Sequence, residues 1–276
     1  MKRAIKLVLY YFGYQLLITT LVIFPMTLIN VLNNGEDATA YGMGYSSGQV
    51  LATGIAMILS GIAMIWHLIH FKYVKFNLKS FSEVPAKTIW LSIPLIIGAM
   101  TFFNFCSEFV ELPNWMEDEF IGMSRNVFGV LSVAIMAPLV EELLFRGAIE
   151  DHLLRQGKSP LAAILISALI FGIIHINPAQ VPFAFAIGAV FGWLYYRTGS
   201  VVPGIIGHFI NNSIACIQMM VLSKEELNTK TVDLIGEVPT YALFAASFAL
   251  MIGSFLYLKK HLPAAPEYKE EQELTI

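Results

Sequence analysis

Val140-Glu141-Glu142-Leu143-Leu144-Phe145-Arg146 places two carboxylates and a guanidinium in a run that is otherwise apolar. If that run crosses a bilayer, each charge near the helix centre costs about 2.5–3.5 kcal/mol, so these residues need a reason to be there. Glu142 and Arg146 are four apart with the acid first, the favoured orientation for a same-face ion pair. A structural pair accounts for both, but it leaves Glu141, about 100° away on the helical wheel, without a partner in its own segment. Two imidazoles follow in later apolar runs: His175 in Phe171-Gly172-Ile173-Ile174-His175, and His208 in His208-Phe209-Ile210-Asn211-Asn212. Taken alone, each reads as an ordinary hydrogen-bonded core histidine.

Together these side chains describe hydrolytic chemistry. Enclosure by apolar groups favours the protonated form of a carboxylate, which suits a general base that draws a proton from water and returns it to a leaving amine. Glu141 is the candidate base. His175 could orient the water, while His208 and the Asn212 amide could donate to the oxyanion of a tetrahedral intermediate. The same residues admit another chemistry, a His2Glu zinc site made of Glu141, His175 and His208 with water in the open position. Spacing does not separate the two, and the local His-Glu-x-x-His pattern of soluble zinc proteases is absent. Ser132 and Ser167 lie near the polar residues, but neither sits in a Gly-x-Ser-x-Gly turn, and serine in a membrane helix is commonly a packing or backbone-bonding residue.

The elements that must position these groups are membrane helices. The chain has 276 residues, of which 57% are hydrophobic and only 13% charged, with a mean hydropathy of +0.67, well outside the range of a soluble domain. The net charge of −3, with no basic block and no zinc-finger pattern, gives no support to nucleic-acid binding. Cys106 and Cys216 are far apart and lie in or beside apolar runs, so neither a disulfide framework nor a cysteine-rich metal site is expected. Stretches of about 20 apolar residues occur at approximately 7–32, 48–70, 88–107, 127–149, 161–177, 181–196, 202–222 and 240–258. The chain is therefore expected to be all-α and polytopic, with about eight transmembrane helices in a single membrane domain over 1–276, whose segment 127–222 carries the chemistry. The start, with Lys2, Arg3 and Lys6, resembles a signal peptide without a cleavage site and reads as a retained first span. The tail Glu273-Leu274-Thr275-Ile276 has no nearby cysteine, so the chain is not itself a prenylation candidate.

Loop charge supports the count. With eight spans, Lys2, Arg3, Lys6, Lys72, Lys75, Lys79, Lys87, Arg155, Lys158, Arg197, Lys259 and Lys260 all fall on one side. The other side carries Glu36, Asp37, Glu108, Glu111, Glu117, Asp118, Glu119 and the net-acidic stretch from Lys224 to Glu237. The positive-inside rule then puts both termini in the cytoplasm, and merging the fifth and sixth spans would put Lys259 and Lys260 on the wrong side.

Depth follows from a helical hairpin turning at Gly157-Lys158-Ser159-Pro160. Glu141 and His175 are each 17 residues from Lys158, so on antiparallel neighbours they share a level roughly 25 Å from the turn. Asp151, His152, Arg155 and Lys158 imply that the hairpin protrudes a turn or two into the cytoplasm. Counted from Thr198-Gly199-Ser200, His208 and Asn212 lie roughly 13 and 20 Å in. Pro138, three residues before Glu141, should kink the fourth span and open a small wet cavity. Gly172, Gly188 and Gly192 permit close helix approach.

Glu141-Glu142-x-x-x-Arg146, Phe171-x-x-x-His175 and His208-x-x-x-Asn212, in this order on separate membrane helices, resemble the CPBP family of intramembrane endopeptidases, also called the CAAX protease and bacteriocin-processing, or Abi, family. The three motifs are present without departure over about 72 residues, while the first half of the chain contributes only hydropathy. The resemblance implies an eight-helix core with a peptidase site opening toward the cytoplasm. It implies Glu141 as the water-activating base, His175 as its partner and His208 with Asn212 as oxyanion donors, with Glu142 and Arg146 in support. Because the family has been described both as glutamate-type and as metal-dependent, a divalent metal such as zinc stays open. Eukaryotic members remove the last three residues of prenylated CAAX proteins, and bacterial members of this size are linked to peptide processing, bacteriocin immunity and membrane-anchored regulation. The expected partners are thus the lipid bilayer and a membrane-embedded or lipidated peptide, and the expected location is a bacterial plasma membrane. The competing reading is a non-catalytic immunity factor or scaffold that keeps the cluster for packing. A transporter with a Glu/His proton relay is a third.

Overall fold

The computed structural model describes residues 1–34, 47–75 and 84–268; Glu36, Asp37, Lys79 and the tail Glu273 to Ile276 lie outside the described residues. Long apolar helices dominate: α1 (Lys2–Asn34), α2 (Ser47–His70) and α3 (Ala86–Ser107), the short α4 (Glu117–Ser124), then α5 (Val127–Arg155), α6 (Pro160–Ile173), α7 (Val181–Thr198) and α8 (Val202–Val221). Two short helices, α9 (Lys224–Asn228) and α10 (Thr231–Ile235), precede α11 (Glu237–His261). Six of these are long and apolar enough to cross a membrane. With the shorter α6 and α7 as a paired hairpin, the chain is an all-α polytopic membrane protein of about eight spans.

Local sequence sets the boundaries. The Asn126 side chain accepts from the Phe128 and Gly129 amides at the start of α5, and Ser159 accepts from Ala162 N–H with Pro160 at the first position of α6. Gly199, at φ 65°, ends α7 in the left-handed conformation that glycine adopts freely. Within α5, Leu131–Met136 and Leu143–Glu150 are wound as π-helix on either side of Ala137–Glu142. The irregularity expected from Pro138 is thus a pair of π segments bracketing the two glutamates, a placement common at functional sites.

The fifth span is shorter than its sequence suggests. An apolar run to residue 177 is expected, but α6 ends at Ile173; Ile176 has φ 58° and Pro178 follows. A proline disfavours helical geometry in the residue before it, so the chain turns there. His175 therefore sits in the turn after α6. That turn is fixed by Asn177, which is fully buried: its Nδ2 donates to Asn114 Oδ1 at 2.7 Å, and its Oδ1 accepts from Trp115 N–H at 3.0 Å.

These contacts put 107–127 and 173–181 at one end of the bundle, and Thr231 N–H and Oγ1, donating to Glu108 at 3.0 and 2.7 Å, add 221–237. At the other end Arg3 bonds His152 at 3.2 Å, Arg197 donates to the carbonyls of Leu262 and Pro263, and Tyr268 donates to the Tyr195 and Tyr196 carbonyls. Both ends of the described chain are therefore on the side that carries the basic loops, as an even number of crossings requires. The core between the ends has two parts. Leu7, Met64, Leu68, Leu143, Phe145 and Phe171 join α1, α2, α5 and α6; Leu95, Ile96, Ile187, Phe191, Leu194 and Leu258 join α3, α7 and α11. Leu16 and Val238, 73% and 80% exposed, lie on helices whose apolar windows are mostly unburied, the faces left for lipid.

Candidate active site

Glu141 is presented from the short α-helical segment of α5 between the two π segments. Its Oε1 accepts from the Tyr11 hydroxyl of α1 at 3.3 Å, and its Oε2 lies 3.8 Å from His208 Nε2 on α8. The second distance is too long for a hydrogen bond and suits a bridging water or substrate oxygen. Tyr11 was not legible as a site residue: α1 reads as a plain apolar span, and a tyrosine near its start carries no motif.

Glu142 points the other way, as the helical wheel requires, and is fully buried. Its Oε1 accepts from Arg146 Nη1 at 2.9 Å and lies 3.2 Å from His208 Nδ1. The pair expected from spacing is present, and it does more than neutralise a charge. Through Glu142 the guanidinium and the imidazole share one carboxylate oxygen, which fixes Nδ1 of His208 as the donor toward Glu142 and turns Nε2 toward Glu141. Arg146 is held in turn by Nη2 donating to the Gly188 carbonyl at 2.9 Å and by the face of Phe171, 4.4 Å from the guanidinium carbon. Two glycines make room. A Cβ at Gly204 would lie 2.6 Å from Glu142 Oε2, and one at Gly188 would lie 2.9 Å from the Phe171 ring.

His175 reaches the same cavity from the turn. Its Nδ1 donates to the Phe171 carbonyl at 2.8 Å, leaving Nε2 with its lone pair outward. The Phe171 ring stands edge-on to both imidazoles, 4.9 Å from His175 and 5.7 Å from His208, and so spaces them. Glu141 and His175 line one cavity, as the hairpin count expects, but among the described residues no hydrogen bond or ion pair joins them. Asn212 also lines it. Its Nδ2 donates to the Val133 carbonyl, inside the first π segment, at 2.8 Å, and its Oδ1 accepts from Asn211 at 3.1 Å. One amide N–H is thus committed to anchoring α8 on α5, and one is left over.

The cavity has a volume of about 550 Å³, within the range of small-ligand and peptide sites. Among the described residues no three His, Cys, Asp or Glu side chains gather to hold a metal ion. His208 Nδ1 faces Glu142 and His175 Nδ1 bonds the Phe171 carbonyl, so each imidazole keeps its Nε2 for another partner, the orientation that a water, a substrate or a metal ion would each use. Ser132 and Ser167 donate to the Gly129 and Phe145 carbonyls at 2.8 and 2.9 Å, the backbone-bonding role expected of them.

A second cluster is unexplained by any motif. Glu150, one turn beyond Arg146, is fully buried, and neither carboxylate oxygen has a hydrogen-bond partner among the described residues.

Comparison with known proteins falls on the same helices. Residues 123–214 match a family described as type II CAAX prenyl endopeptidase Rce1-like. The chain is 31% identical over 91 residues to the putative membrane peptidase YdiL of Bacillus subtilis (strain 168), covering 33% of this chain and 37% of that protein. It is 31% identical over 107 residues to the membrane-embedded CAAX protease MroQ of Staphylococcus aureus (strain USA300), covering 37% and 43%. An uncharacterized protein of Bacillus subtilis, YyaK, is 31% identical over 121 residues, 40% of each chain. The matches thus span about two-fifths of these relatives' lengths. No solved structure matches. The likeness to the CAAX-protease family carried by the three motifs is found here as well, over α5 to α8, the helices that build the cavity.

Proposed function

We propose that this chain is an intramembrane endopeptidase in which Glu141 activates water against a peptide carbonyl. The observation that carries the proposal is the 3.8 Å gap between Glu141 Oε2 and His208 Nε2, two groups of opposite character aimed at one point of a polar-floored cavity in an apolar bundle. A water seated there gives a proton to Glu141 as its oxygen bonds to the carbonyl carbon. His175, whose fixed tautomer leaves Nε2 as an acceptor, orients that water. As the carbonyl oxygen takes up negative charge, His208 in its imidazolium form, flanked by Glu141 and Glu142, donates from Nε2, and the uncommitted Asn212 N–H adds a second donor. Glu141 then passes its proton to the departing amine as the C–N bond breaks, which leaves a carboxyl and an amine and restores the enzyme. Tyr11 holds the other oxygen of Glu141 throughout.

A divalent metal, if bound, would be held by Glu141 with the Nε2 atoms of His175 and His208 and would supply Lewis acidity to the same water; the steps above are those of the chain's own residues. The site's own acid, base and donors suffice for hydrolysis. The test is cleavage of a membrane peptide in liposomes by the wild type, Glu141→Ala and His175→Ala. Loss of cleavage in both variants, with folding retained, is expected; wild-type rates in both would refute the proposal.

A further inference from the structure

The cavity reaches one end of the bundle. Its lining comes from the end of the bundle built by 107–127, 173–181 and 221–237, through Phe120 of α4, Gln180 before α7 and Thr231 of α10. Among the described residues, no lining residue comes from the opposite loops, which instead border a separate cavity lined by Lys72, Lys75, Arg155 and Ser200. Between the two lies a closed layer: Leu144, Phe145, Arg146 and Phe171 are at most 1% exposed. The site is therefore sealed from the end that carries the basic loops.

Charge identifies that end. Lys72, Lys75, Lys87, Arg155, Lys158, Lys259 and Lys260 lie at the sealed end with the N-terminus. Among the described residues, the open end carries Glu108, Glu111, Glu117, Asp118, Glu119, Glu225, Glu226, Asp233 and Glu237 against Arg125, Lys224 and Lys230. The positive-inside rule makes the sealed end cytoplasmic. We propose that this site takes its substrate from the extracytoplasmic side, as an uncharged stretch of an exported or outer-leaflet-embedded peptide. This rests on the peptidase reading only for the word substrate; the direction of access stands on the cavity and the charges.

The lining specifies the chemical class. Asn104, Gln180, Asn211 and Gln218 offer amides matched to an extended backbone, and Met100, Phe120, Phe183 and Ile187 offer apolar contact. Apart from Cys216, the ionisable side chains in the lining are Glu141, His175 and His208, so a charged residue in the bound stretch would find no partner beyond the reacting groups. Ile97, Ile214 and Leu243 line the cavity and are also 42%, 43% and 44% exposed on the lipid-facing surface, so a membrane-anchored chain has a lateral way in between α3, α8 and α11. Thr231 brings α10 to the mouth, and the segment before it is tied down by Lys224 to Asp118 at 2.6 Å and Lys230 to Glu111 at 3.3 Å.

The test is sided labelling of the full chain in spheroplasts with a charged, membrane-impermeant methanethiosulfonate. In a Cys106→Ser, Cys216→Ser background, Thr231→Cys at the mouth and Gln218→Cys within the cavity are expected to label without permeabilisation, and Lys158→Cys only after it. The reverse pattern, or no labelling of Thr231→Cys and Gln218→Cys from the outer face, would overturn the proposal. Two cavity positions guard against one misfolding. A chain that labels as expected but cleaves no peptide keeps this inference and loses the peptidase reading, whereas cleavage confined to peptide supplied at the cytoplasmic face does the opposite.

Discussion

Removing the guanidinium of Arg146 separates what the Glu142 network does for stability from what it does for the site. Arg146 and Glu142 expose 1% and 0% of their side chains, and the 2.9 Å contact between them is the carboxylate's charge partner. Arg146→Met keeps an unbranched side chain beneath Phe171 but leaves Glu142 only the His208 ring, 3.2 Å away and shared with Glu141, as a partner, and strips the donor from the Gly188 carbonyl. Breaking one side of a buried pair costs about 3–5 kcal/mol, which should lower the thermal midpoint in detergent by roughly 10 °C. Adding Glu142→Gln removes the buried charge that has lost its guanidinium while its amide oxygen can still accept from His208 Nδ1, so most of the loss should return. Cleavage should not return fully. Exchanging a charge-assisted hydrogen bond for a neutral one forfeits about 1–1.5 kcal/mol of support for the imidazolium, roughly tenfold in rate. The assay is a pair of measurements on purified protein, a melting curve and a cleavage rate in liposomes. A double variant as unstable as Arg146→Met alone would refute the reasoning, because the penalty would then not come from Glu142 losing its guanidinium.

Other variants probe other parts of the account. Gly204→Ala, whose Cβ would lie 2.6 Å from Glu142 Oε2, should displace that carboxylate and slow cleavage strongly while the protein remains folded; a normal rate would show that Glu142 has room to move. Tyr11→Phe deletes the 3.3 Å donor to Glu141 and should cost about 1 kcal/mol, up to roughly tenfold in rate, and an unchanged rate would remove Tyr11 from the site. Glu150→Met replaces a buried carboxylate that has no hydrogen-bond partner and should leave the melting midpoint unchanged or higher; a clear drop would mean that Arg146 relies on its charge. Dialysis against a chelator should leave cleavage intact, and a loss reversed by zinc would return the metal chemistry to Glu141, His175 and His208.

The membrane fold was legible because hydropathy and loop charge are properties of the chain alone, and the even crossing number they demand is what the ends of the bundle display. Glu142–Arg146 was legible because i,i+4 spacing on one helix needs no tertiary knowledge. The shared cavity of Glu141 and His175 followed from counting residues back from one turn. His175's position in a turn rather than on α6 did not, because the apolar run continues past Ile173 and the break is set by Asn177 gripping Asn114 and Trp115, some 60 residues earlier in sequence. Tyr11 and the bond from Glu142 to His208 were hidden for the same reason: each joins helices far apart in sequence, and no single segment records it. Direction of opening was hidden as well, since it depends on Leu144, Phe145, Arg146 and Phe171 closing one end of the bundle.

The central claim, that Glu141 is the base, is tested most directly by Glu141→Gln, which keeps size and an acceptor for Tyr11 while removing the ability to take a proton. Cleavage of a membrane peptide by the purified variant in liposomes, compared with wild type at matched melting midpoints, is predicted to fall by about 10²–10⁴-fold. A rate within a few-fold of wild type would contradict the account.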